Sequence, residues 1–200
     1  MFVIGELING MFRQVAAALQ SKDAAALQSL ALRQVDAGAR ALDLNCGPAS
    51  KDPVADMPWL VETVQSCTDC MLVLDASKPA VIEAGLKAAR NPVMINSTTA
   101  DQDKLEQLVP LAKAYHAQII ALAMDSRGIP QDKDQRLELA ATIVSFCMDA
   151  GLPLEDLYLD PVLLPVKVGQ AHLPGILEAI REVKIIATPS PRTIVGLRNV

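Results

Sequence analysis

Most of the short apolar runs in this 200-residue sequence end at a residue with a carboxylate or carboxamide side chain. These residues stand at the last position of six runs, as Glu6, Asn45, Asp75, Asn96, Asp160 and Asn199. Carboxylates accept hydrogen bonds, whereas carboxamides both donate and accept. One carboxylate can accept from an amino group and an adjacent ring N–H together, as on the edge of a 2-amino-4-oxo pyrimidine. The set therefore suits a neutral heterocycle rich in N–H donors.

Other kinds of site have less support in the sequence. Most strand ends lack Lys or Arg, and no Gly-rich loop follows the late strands, so a sugar phosphate is a poor ligand candidate. Neither His116 nor His172 has the His-x-His or Glu-x-x-His spacing of a metal site. Cys67 and Cys70 form a lone C-x-x-C pair without a second pair or a matching histidine, which disfavours a metal or redox role. We therefore predict no metal site.

The apolar runs themselves are typical of strands covered on both faces, because polar and apolar residues do not alternate in them. We predict strands over residues 2–6, 41–45, 71–75, 92–96, 118–124, 157–160 and 193–199. Apolar residues at helical spacing lie between these runs, so strands and helices alternate. Residues 183–187 are assigned to the end of the preceding helix, because Pro189 and Pro191 mark the loop before the last strand.

Alternating strands and helices predict a parallel sheet with right-handed crossovers. An open nucleotide-binding sheet would carry a G-x-G-x-x-G turn after its first strand, and the sequence has none. A (β/α)8 barrel needs about 250 residues for eight units, so 200 residues hold six to seven. We predict a single domain, residues 1–200, with the fold of a (β/α)8 (TIM) barrel truncated after strand 7. The expected natural protein is longer by about 60 residues.

Composition and charge limit which binding partners and which cellular compartment we expect. The net charge is −5, spread without blocks, and gives no phosphate-binding stripe, so nucleic acid is not an expected partner. No run approaches the roughly 20 apolar residues of a membrane helix, and no signal peptide is evident at the N-terminus. The four cysteines do not form a disulfide framework. These features favour a cytoplasmic protein that binds no membrane.

Several segments together resemble a known family. The chain is similar to the pterin-binding methyltransferases, most closely the methyltetrahydrofolate:corrinoid protein methyltransferases and, more distantly, the folate module of cobalamin-dependent methionine synthase. The matching stretches follow one another along the chain as Ile4–Gly10, Gly38–Asn45, Leu74–Ser77, Ile82–Lys87, Met94–Thr98, Leu154–Pro161 and Gly196–Val200. Each stretch alone is weak, but as an ordered set they are specific.

The resemblance implies a barrel that binds tetrahydrofolate or 5-methyltetrahydrofolate at its C-terminal face, usually as a homodimer. Asp75, Asn96 and Asp160 match the residues that hold the pterin ring in the family. Asn199 matches the asparagine that hydrogen-bonds near N5, the nitrogen that carries the methyl group, and is the predicted catalytic residue. In the family a corrinoid protein docks over the open face, and its cobalamin exchanges the methyl group with N5. Asp43 is expected to order the ring of side chains from behind, without contacting the ligand.

Three positions depart from the family pattern, and two other functions compete. Leu7 stands where a polar residue is usual, Cys46 where an aliphatic residue is usual, and Arg198 where a small one is common. A dihydropteroate synthase-like enzyme would grip a pterin with similar strand-end residues, but it would need a late basic pair for pyrophosphate. The other alternative is a non-catalytic, truncated fragment that binds pterin without turnover.

Overall fold

The computed structural model describes residues 1–48, 50–165 and 169–196. The chain divides into two compact units, Met1–Asn96 and Ser97–Val200, and each is described by itself. Strands and helices alternate along both units. Within each unit, all strand pairs are parallel.

The first unit is a parallel sheet with helices between its strands. Its elements are β1 (Ile4–Asn9), α1 (Arg13–Ser21), α2 (Ala24–Asp36), β2 (Ala41–Asn45), α3 (Pro53–Gln65), β3 (Met71–Asp75), α4 (Pro79–Ala88) and β4 (Val93–Thr98), the last of which runs two residues past the unit boundary. β1 pairs with β2, β2 with β3 and β3 with β4. The carboxyl ends of these strands therefore meet along one edge of the sheet.

Side-chain caps fix where two helices of the first unit begin. Asp23 precedes α2 and accepts a hydrogen bond from the backbone N–H of Ala26, and Asp52 precedes α3 and accepts from that of Ala55. Such caps satisfy backbone donors that have no partner within the helix. Pro53 at the first position of α3 suits the helix start, where its missing N–H costs nothing.

A close approach between helices and sheet holds β3 in place. Gly85 of α4 lies so near the sheet that an added Cβ would stand 2.8 Å from Met57 Cγ and 2.9 Å from Leu74 Cδ1. Met57 and Leu74 are both fully buried. Burying such a side chain contributes about 1.5–3 kcal/mol. The position of Asp75, the residue after Leu74, is set by this packing.

The second unit continues the alternation. Its elements are α5 (Gln102–Ala114), β5 (Gln118–Leu122), α6 (Lys133–Asp149), a short 3₁₀ helix (Leu154–Asp156), β6 (Leu157–Asp160), a second 3₁₀ helix (Gln170–His172), α7 (Leu173–Val183) and β7 (Arg192–Thr193). β5 pairs with β6 and β6 with β7. The side chain of Asp132 caps α6 by accepting from the backbone N–H of Gln135.

The prediction of seven strands is confirmed, but the predicted end of the first strand at Glu6 is wrong. β1 runs on to Asn9, and its register with β2 shifts between Gly5 and Ile8. In this bulge the N–H of Leu7 donates to Oε1 of Gln34, a residue of α2, at 2.9 Å. The strand continues past the polar Glu6 because the bulge accommodates one irregular step in the pairing. Ile8, beyond the bulge, is fully buried.

The boundaries of three other strands, β4, β5 and β7, also differ from the sequence-based prediction. β4 continues through Thr98, so Asn96 lies inside the strand, and β5 ends at Leu122 instead of residue 124. In the described part of the chain, β7 covers only Arg192 and Thr193. Residues 183–187 form no strand, as expected, but the predicted helix end comes earlier: α7 ends at Val183, and residues 184–187 form turns and bends.

Candidate functional site

Four polar side chains contact one another in the carboxyl-terminal halves of β2, β3 and β4. We call Asp43, Asn45, Asp75 and Asn96 the polar cluster. Asn45 Nδ2 donates to Asp75 Oδ2 at 2.6 Å, and Asn96 Nδ2 donates to Asp43 Oδ1 at 3.0 Å. Asp75 and Asn96 are direct partners in the β3–β4 register. The first unit thus brings two predicted site residues side by side, each held by a second polar residue.

The loops after β1 and β2 fix the orientation of Asn45. Its Oδ1 accepts from the backbone N–H of Gly47 at 2.6 Å, which directs Nδ2 toward Asp75. Gly47 has φ +61°, and a Cβ there would lie 2.6 Å from the carbonyl carbon of Gly10. A Cβ on Gly10 would lie 2.0 Å from the carbonyl oxygen of Cys46. Only glycine permits this backbone-to-backbone contact.

Burial governs the electrostatics of the polar cluster. Asp43 is only 4% exposed, and burial, with the nearby charge of Asp75, raises its pKa to about 8, although the hydrogen bond from Asn96 acts in the opposite direction. Glu6 adds a further raising charge. Burial also raises the pKa of Asp75, while the hydrogen bond from Asn45 lowers it. At neutral pH Asp43 therefore keeps its proton, and the cluster avoids two buried charges side by side.

The third predicted ligand residue, Asp160, ends β6 in the second unit. Its Oδ1 accepts from the backbone N–H of Val162 at 2.8 Å, and its carbonyl oxygen accepts from the N–H of Ala123 at 2.8 Å. Burial raises the pKa of Asp160 to about 6, against the lowering effect of the Val162 hydrogen bond. The backbone that follows β6 therefore holds the Asp160 carboxylate in place.

The remaining predicted residues have different outcomes. Asn199, the predicted catalytic residue, and Arg198 lie outside the described residues. Cys46 is 3% exposed, and burial raises the pKa of its thiol to about 12, so it serves as a small apolar side chain where the family has an aliphatic one. Leu7 is half-exposed, and its backbone N–H, in the β1 bulge, donates to Oε1 of Gln34.

Sequence reasoning gave Asp43 a supporting role and missed Arg136. Asp43 was expected to order the ring of side chains from behind, and its hydrogen bond from Asn96 agrees with that expectation. An ionisable residue inside the otherwise apolar run Ala41–Asn45, on the same strand face as Asn45, was the available signal. Arg136 of α6 is 1% exposed, and its helical position in the sequence gave no hint of that burial.

The cysteines and metal-ligand types form no further site in the described residues. All four cysteines are free thiols, and Cys67 and Cys70 donate to different backbone carbonyls, those of Val64 and Ala39. Across residues 1–48, 50–165 and 169–196, no group of three or more His, Cys, Asp or Glu side chains is placed to hold a metal ion. No helix in the same residues is long and apolar enough to cross a membrane.

Comparison with known families assigns the chain to one of them. The family described as pterin binding enzyme matches residues 11–199, which is nearly the whole chain. The chain belongs to the pterin-binding enzyme family. This finding confirms the resemblance seen in the sequence motifs.

Two curated relatives link the pterin-binding chain to folate methyl chemistry. The methylcorrinoid:tetrahydrofolate methyltransferase of Eubacterium limosum is 25% identical, over 100% of this chain and 74% of its own length. The methionine synthase of Mycobacterium tuberculosis (strain ATCC 25618 / H37Rv) is 27% identical over 99% of this chain, which spans 17% of that protein. The chain is thus a pterin-binding domain related to these enzymes.

Solved structures establish the fold. The dihydropteroate synthase of Yersinia pestis, determined with a pterine-sulfa conjugate, matches with a TM-score of 0.69 at 22% identity, over 98% of this chain and 72% of that chain. At this identity the likeness concerns the fold alone. The chain has the TIM-barrel fold, with seven parallel strands that alternate with helices. The predicted α/β barrel fold is confirmed.

Proposed function

We propose that this chain is a methyltransferase that moves a methyl group between N5 of 5-methyltetrahydrofolate and the cobalt of a corrinoid protein. Asp75, Asn96 and Asp160 bind the pterin ring, and Asn199 hydrogen-bonds near N5. The observation that carries the proposal is the adjacent pair Asp75 and Asn96, each oriented by a second polar side chain. A relative matched over the whole of this chain bears the name methylcorrinoid:tetrahydrofolate methyltransferase, which supports the choice of reaction.

The donor and acceptor pattern of the polar cluster fits a pterin. Asn45 takes one position on Asp75 Oδ2, and a carboxylate has about four lone-pair sites, so Asp75 can still accept two N–H donors. Asp43 takes Nδ2 of Asn96, so Oδ1 of Asn96 is left to accept from a ring N–H. Both side chains are preorganised, which reduces the ordering cost on binding.

The chemistry at N5 explains why a hydrogen-bonding residue is needed there. A methyl group on N5 is a poor electrophile, because its departure would leave a nitrogen anion. A proton or a strong hydrogen bond at N5 turns the leaving group into a neutral amine and lowers the barrier. Asn199 cannot supply a proton, so its role is to orient and stabilise N5 while the proton arrives through water. The corrinoid partner supplies the cobalt that exchanges the methyl group.

The test of this function is methyl transfer from 5-methyltetrahydrofolate to free reduced cobalamin, followed by absorbance. We expect turnover with the unmodified chain and weaker folate binding for Asp75→Asn. Loss of a charged acceptor costs about 1.5–3 kcal/mol, which is about 10- to 150-fold in affinity. Asp69→Asn is the matched control, since Asp69 is exposed and precedes β3 at its opposite end. Pterin binding without methyl transfer, or synthesis of dihydropteroate, would contradict the proposal.

The role of Asn199 has its own test. We expect Asn199→Ala to lower kcat by about 100-fold, because a donor that acts on developing charge is worth that much. KM for 5-methyltetrahydrofolate should change much less. Steady-state kinetics with both methyl donor and cobalamin varied gives the two constants separately. Unchanged kcat would refute the role.

A further inference from the structure

A buried cation lies in the second unit, near the charge of Asp132 but in no ion pair with a described carboxylate. Arg136, in the first turn of α6, is 1% exposed, although arginine is rarely buried unless it is paired. Among the described residues it forms no ion pair, and burial lowers the pKa of its guanidinium. Such a cation is costly to bury and calls for a reason.

The guanidinium of Arg136 joins two backbone carbonyl groups. Nε donates to the carbonyl oxygen of Pro161 at 3.0 Å, and Nη1 donates to that of Asp132, the N-cap of α6, at 2.9 Å. Within the described residues Nη2 has no hydrogen-bond partner, and the side chain borders a small, mostly apolar cavity. Arginine therefore ties the start of α6 to the residue that follows Asp160.

The turn held by Arg136 is itself strained. Val162 has φ +61°, a left-handed conformation that is unfavourable for a β-branched residue. Its N–H donates to Asp160 Oδ1, while Pro161, between the two, has its carbonyl held by Arg136. Strained backbone of this kind persists only where its surroundings fix it, and it concentrates at binding sites.

We infer that Arg136 is a positioning residue that fixes the Asp160–Val162 turn through the Pro161 carbonyl and so aims the Asp160 carboxylate at the ligand. The inference rests on the proposed role of Asp160 in pterin binding. Arginine is required for this task because its planar fork reaches two carbonyls at once in a fixed geometry, which a lysine ammonium does not reproduce.

A double-mutant cycle separates positioning from general stability. Affinity for 5-methyltetrahydrofolate is measured for the unmodified chain, Arg136→Met, Asp160→Asn and the double variant. We expect Arg136→Met to weaken binding about tenfold alone but less than about twofold in the Asp160→Asn background, because coupled residues are non-additive. Equal losses in both backgrounds would overturn the proposal. Lys133→Met, in the same helical turn but paired with Glu182, is the control and should bind normally.

A measurement without ligand keeps the two proposals distinguishable. Hydrogen exchange of the Val162 amide should be at least about tenfold faster in Arg136→Met than in the unmodified chain, and unchanged in Lys133→Met. If the unmodified chain binds no folate, the proposed function fails while this measurement still tests the positioning. If Arg136→Met does not fold, Arg136→Lys replaces it in both experiments, with the same directions. Unchanged Val162 exchange in the variant that folds overturns the proposal.

Discussion

Two aspartates in strands of the first unit and one in a loop of the second unit have opposite electrostatic surroundings. In the first unit, Asp43 and Asp75 lie within strands, and burial raises the pKa of both carboxyls. In the second unit, Asp101 lies in the loop before α5. Hydrogen bonds from the Thr99 hydroxyl and the Ser126 backbone N–H lower its pKa. The same residue type is thus destabilised as an anion in one region and stabilised in the other.

The difference separates candidate ligand-binding groups from structural ones. The loop carboxylate of Asp101 is satisfied by its own neighbours, since Oδ1 accepts from Ser126 N–H at 2.8 Å and Oδ2 from Thr99 Oγ1 at 2.7 Å. The strand carboxylates have fewer donors around them and less water, so they have acceptor capacity left for a ligand. This difference in hydrogen-bond partners, more than residue type, is the reason for proposing the polar cluster as a ligand-binding site.

The largest expected effect comes from removing the buried acid. A raised pKa in the folded state means that the folded chain binds the Asp43 proton more tightly, so stability falls as pH rises from about 4 toward 8. Asp43→Asn does not titrate and keeps an acceptor for Asn96. We expect its gain in unfolding free energy to be about 2–4 kcal/mol larger at pH 9 than at pH 5. Urea unfolding at both pH values checks this. A gain that is independent of pH would show that Asp43 is not the buried acid described above.

A smaller effect is expected on ligand affinity. Asn96→Ala removes one proposed pterin contact. It also removes the side-chain amide that donates to Asp43, so the Asp43 pKa should rise further. We expect 5-methyltetrahydrofolate to bind about 10- to 100-fold more weakly. Thr99→Ala is the matched control in the second region, since it removes the hydroxyl donor of Asp101 and should leave affinity within about twofold. Calorimetric titration compares them, and equal losses would erase the distinction between the two regions.

The smallest effect is expected at Asp101. Its lowered pKa means that it stabilises the fold above its unfolded pKa of about 4 and that this contribution is lost as pH falls. Asp101→Asn should therefore cost less than about 1 kcal/mol at pH 7 and still less at pH 3. Thermal unfolding at the two pH values measures the gap. A gap that widens in acid would contradict the assigned direction.

The strands and their alternation with helices followed from the sequence, but several strand ends did not. Uniformly apolar runs predicted the seven strands found in the described residues, because strands covered on both faces are mostly apolar, and most of the predicted strands ended at the polar residue after the run. The same rule misplaced the end of β1, since Glu6 is followed by a bulge that Gln34 of α2 stabilises from outside the strand. A side chain 27 residues away decided this boundary, and no local pattern records it.

The candidate site divides in the same way. Asp75, Asn96 and Asp160 are among the six polar residues that the apolar runs marked, and the family resemblance gave these three their predicted role. The structure pairs the first two in register. The hydrogen bond between Asp43 and Asn96 spans 53 residues, so only the folded sheet reveals it. Arg136 of α6 donates to the carbonyl oxygens of Asp132 and Pro161, and the contact with Pro161 in the loop after β6 could not be predicted from the sequence either.

The sequence by itself determined the alternation of elements, the polar residues at the strand ends and the family, because these depend on residue type, spacing and order along one chain. Tertiary structure alone decided which of those residues are held, by which partners, and in which protonation state. Burial and through-space charge set the pKa of Asp43 at about 8 while loop hydrogen bonds lower that of Asp101. Solvation is a property of the folded surroundings, and the same aspartate acquires a different chemistry in each place.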